Sequence, residues 1–340
     1  MTTASENKEP SQIQGLAISK SDRAGSLKFA MPEVGNRLTL AMRASLDAGL
    51  RAFGTDPQIY CAILEAAAGA PFSEGDDWVD LRAAAGTGPD LFHAALASAY
   101  QGLWRVDRFS KPFVSLIEGP AAWAGTAIAL CGTHKVADPA ATFIVGDVAN
   151  GWVPGWGASF RLPALPGHLG LYLALTGASL DSALAYRLGW VTHRIPASHF
   201  PACKVGLSSA EPVDPLLDGL DQGSKPSNLD PVLADIEHCF SGGDIGAILS
   251  RLESIAGSSA DWAGHAAAAI RRADPLALAA AHRLLTTYRQ PDLRKGLIMD
   301  FRVAMNWVAE RSSLNNLDTL FSVPEGGDLE LPIVLPPSIS

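Results

Sequence analysis

Three stretches of the chain combine residue types suited to carbonyl chemistry. Phe72-Ser73-Glu74-Gly75-Asp76-Asp77-Trp78 is a small, acidic turn following the apolar run from Tyr60 to Ala66. Gly119-Pro120-Ala121-Ala122-Trp123-Ala124-Gly125-Thr126 follows the apolar Val114 to Ile117 and opens a predicted helix. Phe143 to Ala158 holds Asp147 among Gly and Pro residues. Carbonyl chemistry passes through an enolate or a tetrahedral oxyanion, and two fixed backbone N–H groups aimed at that oxygen stabilise either species. A tight turn after a strand supplies one such group, and a helix start, whose first amides are unpaired, supplies the other. A carboxylate such as Asp147 can then act as general base or acid, or attack the carbonyl itself. Each stretch also has an ordinary reading: an acidic turn, small residues for close helix packing, and an aspartate capping a turn.

Positioning these groups requires strands that end at the turns and a helix that starts at the second. Residues 1–14 read as a mobile tail. Leu16 to Ile18 and Leu27 to Met31 read as short strands with turn formers Ser21, Asp22 and Gly25 between them. Leu38, Met42, Leu46 and Leu50 recur at helical spacing over 37–53. Tyr60 to Leu64 is a buried strand that runs into the acidic turn, residues 88–107 form a helix, and Pro112 to Ile117 form a strand. A helix at 122–131, strands at Val136 and 143–145, helices at 158–164, 168–176 and 179–188, and a strand at 191–195 follow. This alternation predicts a layered α/β core over 15–200. Residues 208–231 are rich in Pro, Gly, Ser and Asp, which places a linker at about 201–230. Helices near 231–240, 243–255, 259–272, 275–289 and 292–312 make 231–322 an all-helical C-terminal region, with an extended tail over 323–340.

Composition narrows the function classes. The 340 residues are 48% apolar and 18% charged, enough for a sizeable core. Net charge is −9 with no segment concentrating Lys and Arg, which argues against nucleic-acid binding. Cys61, Cys131, Cys203 and Cys239 are scattered and form no C-x-x-C pair, so buried or inert thiols are expected rather than a metal site or a disulfide framework. The eight histidines show no H-x-x-x-H spacing; His134 and His193 read as structural residues, and no metal is expected. The polar N-terminus has no apolar secretory core, and no apolar stretch is long enough for a membrane span. A cytoplasmic protein without a membrane partner is expected.

Together, in this order and spacing, the three stretches resemble the crotonase (enoyl-CoA hydratase/isomerase) superfamily. The first is similar to its F-(S/C)-A-G-x-D-(L/I) pattern, in which the residue after the glycine gives an oxyanion N–H, here Asp76. The second is similar to the strand and N/H-G-x-x-x-G-G-G segment, whose middle glycine gives the other N–H; Ala124 stands there. The third is similar to F-x-x-P-E-x-x-x-G-x-x-P-(D/G)-x-G-G, which puts Asp147 at the catalytic glutamate. Beyond about residue 200 the chain most resembles the 3-hydroxyisobutyryl-CoA hydrolases. Tyr172-Leu173-Ala174-Leu175-Thr176-Gly177, Ile236-Glu237-His238-Cys239-Phe240 and Met299-Asp300-Phe301-Arg302 match segments of that branch. The resemblance implies a ββα spiral core with a C-terminal helical region and an acyl-CoA substrate, so that coenzyme A enters as part of the substrate and no separate cofactor is needed. It also implies a homo-oligomer, with trimers as one arrangement. Trp78, Trp123, Gly125, Trp152 and Trp156 become candidates for the substrate pocket, the tryptophans serving either packing or a bulky or cyclic acyl group. Arg37, Lys111 and Arg302 are candidates for the CoA phosphates.

The departures bear on the reaction. The second acid of the hydrolases falls at Gly155, and the second glutamate of the hydratases falls at Ala127. Two of three motif glycines are Trp123 and Ala124, and Asn315 to Leu320 replaces a late family segment. Asp147 is left as the only matched acid. Three readings stay open: a thioester hydrolase; a single-carboxylate hydratase, isomerase or carbon–carbon lyase; and a crotonase-derived binding protein without catalysis.

Overall fold

The computed structural model describes residues 11–13, 15–146, 148–310, 314 and 316–332. Strands β1 (Ser11–Ile13), β2 (Leu16–Ser21) and β3 (Ala24–Phe29) form an antiparallel meander. Helix α1 (Leu40–Thr55) leads to β4 (Cys61–Ala66), which pairs in parallel with β3. Helices α2 (Trp78–Gly86) and α3 (Pro89–Asp107) precede β5 (Phe113–Ile117), β6 (Pro120–Ala122) and α4 (Ala124–Ala129). Then come β7 (His134–Ala137), β8 (Thr142–Ile144), α5 (Ala158–Arg161), α6 (Leu169–Thr176), β9 (Ser179–Asp181), α7 (Ser182–Arg187) and β10 (His193–Arg194). The larger sheet runs β1-β2-β3-β4-β5-β7-β10, parallel from β3 onward; β6, β8 and β9 form a second sheet.

The parallel part of the large sheet packs apolar residues on both faces, as parallel sheets usually do. Along β4, Ala62 and Leu64 point into the main core, and Cys61 and Ile63 point into a second apolar cluster. Val114 and Leu116 of β5 join that second cluster, with Phe200, Cys203, Leu207, Val213 and Leu217 from α8 (Phe200–Ser208) and α9 (Val213–Asp218). The expected linker over 201–230 is therefore corrected: it contains α8 and α9, because a sheet face needs cover, and only about 209–212 and 219–229 are irregular. All four cysteines are buried and free, and burial pushes Cys61 up to about 11 and Cys131 up to about 12.

Helices α10 (Leu233–Phe240), α11 (Ile245–Ser254), α12 (Ala260–Arg272), α13 (Pro275–Thr286) and α14 (Leu293–Glu310) form the C-terminal region. They pack on α5, α6 and one another in the same core as the sheet. Over the described part of the tail, residues 323–332, the chain is extended but held: Leu329 and Leu331 are buried, and the Arg294 guanidinium donates to the Leu331 carbonyl at 2.8 Å. At the other end, Ser11–Ile13 pairs with β2, so the expected mobile tail over 1–14 includes a strand. Helix α2, absent from the sequence reading, starts where the Asp77 carboxylate accepts from Val79 and Asp80 N–H, both at 3.0 Å.

Candidate active site

The turn after β4 is built by its neighbours. Ser73 bridges Ala121, with Ala122 N–H donating to the Ser73 carbonyl at 2.9 Å. Leu38 N–H donates to the Gly75 carbonyl at 2.7 Å, and Asp77 N–H to the Leu38 carbonyl at 3.2 Å. Gly75 sits at φ 91°, where a Cβ would come within 2.6 Å of the Trp123 ring and 2.8 Å of the Ala122 carbonyl oxygen, so only glycine fits. These bonds occupy the amides and carbonyls on either side of Asp76. The Asp76 N–H itself has no hydrogen-bond partner among the described residues.

The second turn meets the first directly. Trp123 adopts φ 47°, ψ −115°, a conformation suited to glycine, and delivers the chain into α4. Ala124 is the first residue of that helix, and its N–H also lacks a partner among the described residues. Thr126 locks the turn by donating its hydroxyl to the Ala121 carbonyl at 2.7 Å. Gly125, expected in the substrate pocket, instead lies against Ser73: a Cβ there would be 2.6 Å from the Ser73 carbonyl oxygen, so its role is close packing of the two turns. The residues at the two expected oxyanion positions thus stand on touching loops with unused amides.

Asp76 does more than its motif suggests. Its carboxylate is buried and pairs with the Arg43 guanidinium, while Trp156 Nε1 donates to its other oxygen at 3.0 Å. Arg43 lies 4.3 Å above the Trp156 ring, which stacks on Tyr100 with centroids 4.2 Å apart. Burial pushes the Asp76 carboxyl up against the pull of Arg43 and Trp156, and burial likewise lowers Arg43. Arg43 carries no local signal of this role: it adjoins Met42 on the predicted helix, and only the fold brings it to Asp76.

Aromatic rings line the front of the site. Trp78 packs edge-on to Trp123 at 6.3 Å and tilted against Trp152 at 5.1 Å. Beside them is a cavity of about 30 Å³, lined in part by Trp123, Ala127, Gly155, Trp156, Arg161 and Trp190. Trp123 and Trp156 therefore do border a pocket, whereas Trp78 and Trp152 pack together and do not line this cavity. Both positions at which the family carries a second acid, Ala127 and Gly155, open onto it. A Cβ at 155 would lie 2.9 Å from Tyr100 Oη, so the phenol stands beside the missing carboxylate's position.

Asp147 lies outside the described residues, but its flanks are fixed. Trp123 Nε1 donates to the Gly146 carbonyl at 2.9 Å, Gly146 is clamped against the Ala174 and Leu173 carbonyls, and Val148 is buried. Asp300, matched in sequence but given no role there, is fully buried in α14. Its carboxylate accepts from Gly157 N–H at 2.7 Å and Ser159 N–H at 3.4 Å, holding the start of α5 and the wall of the cavity. Burial pushes it up to about 7, opposed by those donors. Of the phosphate candidates, Lys111 is spent on the Phe53 and Asp56 carbonyls and Arg302 on Asp328; Arg37, half-exposed beside Glu74, sits near the turn.

The family profile described as Enoyl-CoA hydratase/isomerase matches residues 24–317. The chain belongs to the crotonase, or enoyl-CoA hydratase/isomerase, family. Two solved crotonase-family structures match its fold. The carnitinyl-CoA dehydratase from Mycobacterium thermoresistibile superposes with a TM-score of 0.83 at 22% identity, over 93% of this chain and 98% of its own. The enoyl-CoA hydratase from Rhodobacter sphaeroides 2.4.1 gives 0.81 at 24% identity, over 94% and 100%. Among sequence relatives, 3-hydroxyisobutyryl-CoA hydrolase-like protein 1 of Arabidopsis thaliana is 28% identical over 81% of this chain and 70% of its own length. The mitochondrial 3-hydroxyisobutyryl-CoA hydrolase of Xenopus tropicalis is 27% identical over 84% and 76%. As a crotonase-family protein with these relatives, the chain is expected to process acyl-CoA substrates.

Proposed function

We propose that this crotonase-family protein hydrolyses an acyl-CoA thioester. The observation that carries the reading is the pair of unpartnered amides, Asp76 N–H and Ala124 N–H, on turns locked against each other through Ser73, Gly75 and Gly125. The thioester carbonyl oxygen takes both hydrogen bonds, which strengthen as it becomes an oxyanion. Asp147 removes a proton from water as the water oxygen bonds to the carbonyl carbon. Collapse of the tetrahedral intermediate breaks the carbon–sulfur bond, and the proton held by Asp147 passes to the departing thiolate. One carboxylate thereby serves as base and then as acid.

Thiol release from a panel of short, branched and cyclic acyl-CoA thioesters tests this, with Asp147→Asn as the control. Hydrolysis predicts thiol from at least one thioester and its loss in the variant; near-wild-type turnover by Asp147→Asn would remove Asp147 from the mechanism. A second reading draws on Ala127 and Gly155, where the second acid is missing: a lone carboxylate also suits proton transfer beside an enolate. Solvent deuterium entering the α-carbon without thiol release would favour that reading over hydrolysis.

A further inference from the structure

Arg161 is an under-used cation at the wall of the cavity. A guanidinium carries five N–H donors. Here Nη1 reaches the Leu130 carbonyl only at 3.4 Å and Nη2 reaches Cys131 Sγ at 3.4 Å. Nε is buried with no hydrogen-bond partner, and no carboxylate among the described residues pairs with the group. Leaving a buried charged donor unsatisfied is costly, so the group calls for a partner, which a water or an anionic ligand group can supply. The surroundings are also electropositive. Lys135 lies close enough that Arg161, after burial, helps hold its ammonium below the ordinary value. The acid facing this pair is Asp107, which is itself engaged with Arg108 at 3.2 Å.

Two further observations turn an unpaired cation into a site. Arg161 shares its cavity with Ala127 and Gly155, the positions at which the family carries its additional acid. Among the described residues, no anion thus stands where it would neutralise the guanidinium. The cavity, at about 30 Å³, has room for about two water-sized atoms, which matches a carboxylate's two oxygens.

We propose that Arg161 binds a carboxylate carried by the acyl group, so that the preferred substrate is the CoA monothioester of a short dicarboxylic acid. This rests on the acyl-CoA reading above and adds the acyl class to it. A guanidinium lining such a cavity discriminates between charged and neutral groups, since a charge-assisted hydrogen bond contributes about 1.5–3 kcal/mol, roughly ten- to a hundred-fold in affinity.

The test is calorimetric binding of non-hydrolysable dethia analogues, with a methylene in place of the thioester sulfur. Succinyl and butyryl analogues form one pair of equal carbon count, glutaryl and pentanoyl analogues the other. The wild-type protein is expected to bind the carboxylated member of at least one pair ten-fold or more tightly, and Arg161→Met is expected to bring that pair within about two-fold. If the wild-type protein binds both members of each pair equally, the carboxylate assignment is overturned while the acyl-CoA reading stands. If none of the four analogues binds, both fall. The wild-type comparison decides the matter even if Arg161→Met does not fold.

Discussion

Two buried aspartates hold the loop from Gly155 to Ser159 from opposite sides, and they solve the problem of a buried charge differently. Asp76 grips it through Trp156 Nε1 and is neutralised by Arg43. Asp300 grips it through the Gly157 and Ser159 amides and faces no basic side chain among the described residues. The first is an ion pair whose members cannot be removed singly without stranding a charge. The second is a remote helix cap, supported by the Ser159 hydroxyl and by backbone amides and able to become neutral by taking up a proton. The candidate site thus has a fixed anchor on the α1 side and a proton-sensitive one on the α14 side.

The sharpest way to break this contrast is to remove Arg43. Arg43→Met leaves the Asp76 carboxylate buried without its cation, and a loss of about 3–5 kcal/mol is expected in urea unfolding. The double variant Arg43→Met, Asp76→Leu should recover much of that loss, because no charge then remains to be desolvated. A single variant as stable as wild type would mean that the pair is not desolvated as the geometry implies.

Removing Asp300 should cost less. Asp300→Ala strands the buried Gly157 and Ser159 amides, at about 1–3 kcal/mol, whereas Asp300→Asn keeps one accepting oxygen and should lose only part of that. The pH dependence separates the two anchors further. Asp300 is raised from 3.8 to about 7, so between those values the folded chain retains a proton that the unfolded chain has released. The contribution is fully present below the unfolded value and is lost as pH climbs toward 7, with a slope of at most about 1.4 kcal/mol per pH unit. The stability difference between wild type and Asp300→Asn, followed from pH 4 to 8, should therefore drift against wild type as pH rises. A flat difference would falsify the protonation of Asp300.

These anchors mark the limit of what the sequence discloses. The turn at Gly75, the helix start at Ala124 and most strands follow from local pattern, because each depends on residues within a few positions of itself. Helices α8 and α9 do not: their Pro- and Ser-containing sequence reads as linker, and only the apolar face of β4 and β5, more than 80 residues upstream, makes Phe200, Leu207 and Leu217 a core. Arg43 and Asp300 are invisible for the same reason. An arginine on a helix and an aspartate in a C-terminal segment look like surface residues until the fold brings them to Asp76 and Gly157. The missing acids at Ala127 and Gly155 were legible; Tyr100 Oη beside the second of them was not.

Tyr100 gives a prediction of intermediate size. Gly155→Asp places an acid where the sequence resemblance puts a second carboxylate, but its Cβ must displace a phenol that accepts from Trp156 N–H at 3.3 Å. Overpacking of this kind costs about 1–3 kcal/mol, and the shifted Tyr100 would disturb the Trp156 stack. Restoring the acid alone should therefore lower thermal stability without raising thiol release. Increased release at unchanged stability would show that the pocket tolerates the carboxylate after all.

The smallest expected effect is at Trp123, and it tests whether this side of the site is also under strain. The residue occupies φ 47°, ψ −115°, which an L side chain adopts at a cost of roughly 1–3 kcal/mol. Its indole offsets part of that through the bond to the Gly146 carbonyl and the edge contact with Trp78. Trp123→Gly and Trp123→Ala lose the same contacts, but glycine alone relieves the backbone. Glycine should thus be the more stable variant by about 1 kcal/mol, although both discard the same large side chain. Equal stabilities would mean that the turn relaxes once the indole is gone. The tryptophan would then impose the conformation rather than merely endure it, and the Gly75–Trp123 contact would owe its geometry to the side chain instead of the backbone.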